Sequence, residues 1–282
     1  MRNPKLGRRA LLKYTVIYVA AAAVMFVSLF PFLWMISTSF KPTSETFTRI
    51  PRLIPKNPTL DNYKMVLGET MIPKYFLNSL YVAVLTTAIS IIVASLGAYG
   101  FSRFRFPGRT PALIMILGVQ MFPSQVIIIP LFIVMKNLAL LNTHKSLLVS
   151  YTTFTLPLTV WMLKGFFDEI PRELEEAALI DGCSKLGAFT KIVLPLSLQG
   201  IVASAIFAFI GAWNEFMFAM TFINLEELKT MPVGLTSFFG RFTVEWNPLM
   251  AASVLFTIPS LIFFALVQHN LARGLVAGAV KG

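Results

Sequence analysis

The sequence predicts an all-α membrane protein of six transmembrane helices, with a polar loop, residues 168–195, on the cytosolic side between the fourth and the fifth. Three observations carry this expectation. Hydrophobic residues make up 56% of the 282 and charged residues 13%, about half the charge of a typical soluble domain, and the mean hydropathy is +0.73. Six charge-free runs follow one another, bounded by Lys13 and Lys41, Lys74 and Arg103, Arg109 and Lys136, Lys145 and Lys164, Lys191 and Glu215, and Glu245 and Arg273. Between the last two pairs of runs the composition changes only once to a stretch that is too polar to span and too patterned to be a plain linker, Glu176 to Pro195. The whole chain, 1–282, reads as one membrane domain with the 168–195 loop inside it.

The first run follows Arg2, Lys5, Arg8, Arg9 and Lys13. It exceeds the 7–15 apolar residues of a secretory signal, so it is expected to be a retained span. A helix needs about 20 mostly apolar residues to cross the hydrocarbon core, and only the fourth run, residues 146–163, is marginal. The loop from about 37 to 74 is rich in proline and too short and polar for a domain. An even number of spans puts both termini on one side. That side holds 14 of the 24 Lys and Arg, against 10 in the longer opposite loops, so the termini and the 168–195 loop are expected in the cytosol. Pro31, Gly97, Pro123, Pro130, Pro157 and Pro259 interrupt the runs, as helix breakers commonly do in membrane helices. The net charge of +11 belongs to the connections between spans and forms no basic stripe with interleaved aromatics, so nucleic acid is not an expected partner. A single cysteine, Cys183, excludes an intrachain disulfide.

Within 168–195 local chemistry predicts two short helices and a turn. Pro171 suits the first helical position. Glu173, Glu175 and Glu176 fall in the first turns, where carboxylates favour the positive end of the helix dipole. Leu174, Ala177 and Ala178 form a narrow face of small residues. Gly182 is the residue type expected where a helix stops in a left-handed conformation. Ser184 can cap a second helix, Lys185 to Val193, with Leu186, Phe189 and Val193 on one face and Pro195 closing it. Local chemistry alone also allows an amphipathic loop lying on the membrane surface.

Glu176-Ala177-Ala178, then Gly182, Ile192 and Leu194-Pro195 at their spacing resemble the complete "EAA" signature of the permease subunits of binding-protein-dependent ABC importers. Tyr99 to Arg109, Ser39-Phe40-Lys41, Leu60 to Tyr63, Trp213-Asn214-Glu215 and the tail from Leu271 to Gly282 resemble the carbohydrate branch of these type I importers, in particular the smaller permease subunit of maltose-type systems. Met231 to Leu235 resembles a stretch that reaches into the sugar-binding protein. The resemblance implies a permease that moves an oligosaccharide or related carbohydrate across a bacterial or archaeal inner membrane. It implies a second permease, two copies of a cytoplasmic P-loop ATPase and an extracytoplasmic sugar-binding protein as partners. Glu176, Ala177, Ala178, Gly182, Leu186, Leu194 and Pro195 would then couple to the ATPase.

Other chemistry is missing from the sequence. There is no G-x-x-x-x-G-K-[ST], so ATP would be used by partner subunits rather than bound here, and no H-E-x-x-H or G-x-S-x-G supports an enzyme. His144 and His269 have no carboxylate or cysteine at ligand spacing. Glu215 is the one ionisable candidate inside a run. It lies 19 residues beyond Leu196, roughly 28 Å along a helix, near the outer edge of the core. It is either an interfacial anchor or, with Trp213 and Asn214, part of a substrate pathway. The rival reading from another class is an ATP-independent channel or secondary transporter, which would move solute without partners.

Overall fold

The computed structural model describes residues 8–279, with side chains for residues 12–266. Arg2, Lys5, Arg8, Arg9, His269 and the tail from Leu271 therefore lie outside the described side chains. The expectation of an all-α chain holds. Among the described residues the sole β interaction is an isolated bridge between Phe239 and Val244. Four helices are long and apolar enough to cross a membrane, and six spans result if each of two bent helix pairs counts as one.

One compact unit comprises the chain up to Thr70 together with Phe238–Leu255. Its first helix, α1 (Arg8–Ser39), exposes Leu, Val, Ile, Phe and Tyr all round, as a span facing hydrocarbon does. At its C-terminal end the chain turns through Phe40 and Lys41, and the orphan carbonyls of that end find side-chain donors. Asn62 of α2 (Asp61–Gly68) donates to Ser39 O at 2.8 Å and Lys41 O at 2.9 Å, and Asn247 donates to Lys41 O at 2.7 Å. The proline-rich loop is stapled by Glu45, whose carboxylate accepts from the Lys56 and Asn57 amides at 2.9 and 3.0 Å.

The second unit comprises Met71–Ser237 and the residues from Phe256 onward. Its frame is α3 (Ile72–Arg103) packed on α6 (His144–Asp168), with α9 (Leu198–Trp213) against both. Lipid tails are as apolar as Leu, so helices in a membrane associate through close packing and buried hydrogen bonds. That is the pattern here. Ala83, Ser90, Ala94 and Ala98 form a buried small-residue stripe on α3, and Ser90 exchanges a 2.7 Å hydrogen bond with Thr155 of α6. Gly200 of α9 lies so close to Phe166 that a Cβ there would sit 2.3 Å from the ring.

Two expected straight spans are broken. Between α4 (Arg109–Gly118, extended by a 3₁₀ turn to Met121) and α5 (Ser124–Asn137) the axis turns by 100°. Pro123 disfavours helical geometry for the residue before it, and Phe122 is extended at φ −83°, ψ 126°. The fifth run is likewise not one helix from Lys191 to Glu215. The segment Lys185–Leu196, here α8, meets α9 at 78°, and α9 ends at Trp213. The length estimate that put Glu215 on a continuing helix is corrected accordingly. Beyond α9, α10 (Met217–Phe222) packs back against α5 and α6. The last helix, α11 (Trp246–Ala279), contributes residues to both units.

Candidate functional site: the 168–195 loop and a cavity beside Glu215

The loop folds into two helices with a turn, as its sequence predicts, with boundary corrections. The first helix, α7, is Arg172–Ile180, and Pro171 precedes it as N-cap instead of opening it. Gly182 has φ +88°. The Cys183 amide donates to Ala178 O at 2.9 Å and the Gly182 amide to Leu179 O at 3.1 Å, the paired bonds that close a helix over a left-handed residue. Ser184 then caps α8, its Oγ accepting from the Gly187 amide at 3.1 Å. α8 runs past Val193. A π turn over Phe189–Val193 widens the backbone just ahead of Pro195, so the ring is accommodated inside the helix and the break falls at Ser197. Pro195 does not close the helix.

The hairpin has two unlike faces. Ala178, Ala188, Phe189 and Val193 are buried, and Phe189 packs 4.6 Å from Tyr99 of α3 and 6.3 Å from Phe167 of α6. Leu186, expected on the same face as Phe189 and Val193, is 64% exposed. Leu179 and Ile180 are exposed as well, Ile180 at 87%. Glu176, Ala177 and Gly182 share that outer surface, Leu194 is half-buried and Pro195 is exposed. The outer face is therefore an apolar cluster flanked by the exposed carboxylates Glu176 and Asp181, presented on a turn whose backbone needs glycine.

The carboxylate that matters inside the fold was not singled out in the sequence. Glu175 is buried and forms an ion pair with Arg103, the last residue of α3, and both side chains are 9% exposed. Tyr99 Oη donates to the other oxygen of Glu175 at 2.9 Å, and Arg103 also donates to Ile170 O at 3.1 Å. The available signal was periodicity: Glu175 precedes buried Ala178 by three positions, on the inner stripe. Beside this pair, Ser102 Oγ donates to Asp168 at 2.6 Å and Arg172 donates to Ser102 O at 3.1 Å.

Trp213, Asn214 and Glu215 part company. Trp213 is 1% exposed. Its ring stacks on Phe209 and Phe256, meets Phe76 edge-on, and its Nε1 donates to Phe256 O at 3.2 Å. Asn214 is exposed and folds back onto Ile210 O. Glu215 accepts from the Phe218 and Ala219 amides at 2.8 and 3.2 Å, capping α10, and borders a cavity of about 200 Å³. The cavity is walled by Phe154, Phe207 and Phe218 and edged by Gln120, Tyr151 and Thr155. These three polar residues come from α6 and from the broken α4–α5 region, and no sequence motif had joined them to Glu215. Among the described residues no group of three or more His, Cys, Asp or Glu forms a metal-ligand set.

In the second unit bent helices carry a two-helix hairpin between α6 and α9. Residues 87–276 match the family of binding-protein-dependent transport system inner membrane components, and the chain belongs to that family. It is 40% identical over 278 residues to the trehalose/maltose transport system permease protein MalG of Thermococcus litoralis, covering 98% of this chain and 99% of the relative. It is 37% identical to the sulfoquinovosyl glycerol transport system permease protein SmoH of Agrobacterium fabrum, covering 94% and 93%. The diacetylchitobiose uptake system permease protein DasC of Streptomyces coelicolor is also 37% identical, with 93% and 95% covered. In fold the chain is similar to a solved bacterial ABC transporter involved in the import of the acidic polysaccharide alginate, with TM-score 0.83 and 23% identity, covering 95% of this chain and 99% of that one.

Proposed function

We propose that this chain is the membrane subunit of an ATP-driven importer that translocates a carbohydrate delivered by an extracytoplasmic binding protein, and that the 168–195 loop is the surface on which a cytoplasmic ATPase docks. The observation that carries the reading is the two-faced hairpin. Its inner face is fastened to α3 and α6, and its outer face offers Leu179, Ile180 and Leu186 around the Gly182 turn with Glu176 beside them. An exposed apolar cluster on a rigid, non-spanning element fits a cleft in a partner protein. Glu176, Ala177, Gly182 and Leu186 would enter that cleft, Ala178, on the buried inner face, would back them, and Leu194 and Pro195 would hold the base of the second helix. ATP is held by two copies of the ATPase, and this chain binds no cofactor of its own.

The substrate class rests on the relatives, whose names specify trehalose, maltose, diacetylchitobiose and sulfoquinovosyl glycerol, and on the chemistry of the cavity. Phenyl rings pack against the apolar faces of a sugar, while Glu215, Gln120, Tyr151 and Thr155 can exchange hydrogen bonds with its hydroxyls. In this arrangement Glu215 belongs to the pathway, Asn214 to its rim, and Trp213 supports it from the core. Both termini and the hairpin face the cytosol, and a second, different permease completes the conduit. Switching between inward- and outward-open packings follows from ATP favouring one of them.

The test is purification of the tagged chain in mild detergent from its own membranes, with mass spectrometry of the co-purifying proteins. A P-loop ATPase and a second permease are expected. Recovery of the chain alone from several detergents would withdraw the docking assignment and favour a self-sufficient carrier.

A further inference from the structure

Besides the apolar packing of Phe189 on Tyr99 and Phe167, the hairpin is joined to the spans around it in two ways. One is covalent, through Ile170–Pro171 and the α8–α9 bend. The other is the buried polar knot at the end of α3. Taking two charges out of water is costly unless the geometry is good and the remaining polar valences are filled. Here they are filled. Arg103 Nε binds one oxygen of Glu175, Tyr99 binds the other at 2.9 Å, and the guanidinium also reaches Ile170 O at 3.1 Å and Ser102 Oγ at 3.2 Å. Leu or Met at both positions would fill the same space, but apolar contacts slide, whereas a buried charge-assisted hydrogen bond whose guanidinium and carboxylate are each held by further partners fixes position and orientation. The knot spans two elements: Tyr99, Ser102 and Arg103 lie in the last two turns of α3, and Glu175 lies in the first turn of α7.

We propose that Glu175 and Arg103 are positioning residues that make α7 and the 32-residue helix α3 one mechanical body, so that displacement of the docked hairpin is delivered along α3 and not absorbed at the joint. The proposal rests on the docking assignment above. It differs in kind from it, because Glu175 faces inward and touches no surface that a partner could reach. Glu176, one position on, faces outward. Adjacent carboxylates thus divide the work, one toward the ATPase and one toward the spans.

The experiment uses the assembled importer with cysteine-free partners. Spin labels are placed at Glu173→Cys on α7 and Leu77→Cys near the start of α3, both exposed positions, in a Cys183→Ser background. Distances are read without nucleotide and after trapping with ATP and vanadate. With Glu175 and Arg103 intact the distance is expected to stay constant between the two states. Glu175→Gln and Arg103→Gln should each broaden it and shift it by several ångströms on trapping, while ATPase co-purification is retained. The exchanged pair, Glu175→Arg with Arg103→Glu, should restore the constant distance, a rescue that loss of general stability would not give. An unchanged distance in both Gln variants overturns the proposal and leaves docking intact, as does loss of the ATPase from the Gln variants alone. Failure of the unmutated chain to hold an ATPase overturns the docking assignment, and this proposal with it.

Discussion

Glu215 and Trp213 stand two positions apart yet have different consequences when changed. Trp213 fills the core between Phe209, Phe256 and Phe76. Truncating a buried aromatic typically costs about 3–5 kcal/mol, so Trp213→Ala is expected to lower the thermal unfolding midpoint and the yield of assembled protein. Glu215→Gln keeps one oxygen for the Phe218 amide, bound at 2.8 Å, and gives up the longer 3.2 Å bond from the Ala219 amide to the other carboxylate oxygen, so it should still fold. It removes a charged acceptor from the cavity, and hydrogen bonds to charged groups contribute about 1.5–3 kcal/mol. Uptake by the reconstituted importer should therefore fall roughly tenfold or more, with a much smaller drop in unfolding temperature than Trp213→Ala. Wild-type uptake by Glu215→Gln would remove Glu215 from the pathway. Composition marks both residues as polar-capable groups near the end of a span. Only the packing of α11 residues Phe256 and Phe263 onto α9 separates core from cavity, and no local pattern encodes a contact over more than 40 positions.

At the scale of elements, the hairpin was legible because its signals are local. Gly182 and Ser184 each act within four residues, and both do in the structure what their chemistry requires, whereas Glu175 of the acidic first turn is taken by Arg103 of α3. Gly182→Val would force a β-branched side chain to φ +88°, at a cost of roughly 1–2 kcal/mol, and the cheaper course is to unwind the turn. The variant should remain in the membrane while substrate-stimulated ATP hydrolysis by the assembled complex is lost. Hydrolysis at the wild-type rate would defeat the docking role of the turn. The bends were less legible. Pro123 was visible as a breaker, but its effect on direction depends on what the two halves pack against, and the π turn that admits Pro195 has no sequence signature. In the loop from 37 to 74 the element that matters is Glu45. The Lys56 amide foremost, with the Asn57 amide and side chain, holds its carboxyl below the ordinary value of 4.5. A depressed folded value means that the staple contributes fully above about pH 4.5 and is lost as pH falls through the folded value. Hydrogen exchange at the Lys56 and Asn57 amides, corrected for its intrinsic pH dependence, should show protection that is steady at neutral pH and collapses below pH 4.5. Glu45→Gln should lack that transition.

For the whole molecule the membrane class follows from composition, because no folding of a 56% hydrophobic chain with 13% charge can cover its apolar surface with polar groups. α1 shows the consequence: the described part of this span buries none of its most apolar window within the chain, so lipid or a membrane partner must cover it. The number of crossings and their direction are global properties that length alone does not fix, since the two bent pairs, at 100° and 78°, each count as a span only if both halves lie within the bilayer. The distribution of Lys and Arg predicts the direction, and labelling of the chain expressed without its partners tests it. With Cys183→Ser as background, a cysteine replacing exposed Glu176 should react with a membrane-impermeant maleimide only in inside-out vesicles. A cysteine replacing exposed Lys56 should react only in right-side-out cells or spheroplasts. Opposite labelling of the two positions requires an odd number of crossings between them. The three spans predicted there, α3, the α4–α5 pair and α6, satisfy that parity only if the bent pair does cross. Labelling of both from the outside would mean that the α4–α5 pair re-enters on the side it left, which would leave the hairpin on the outer face and beyond the reach of a cytoplasmic ATPase.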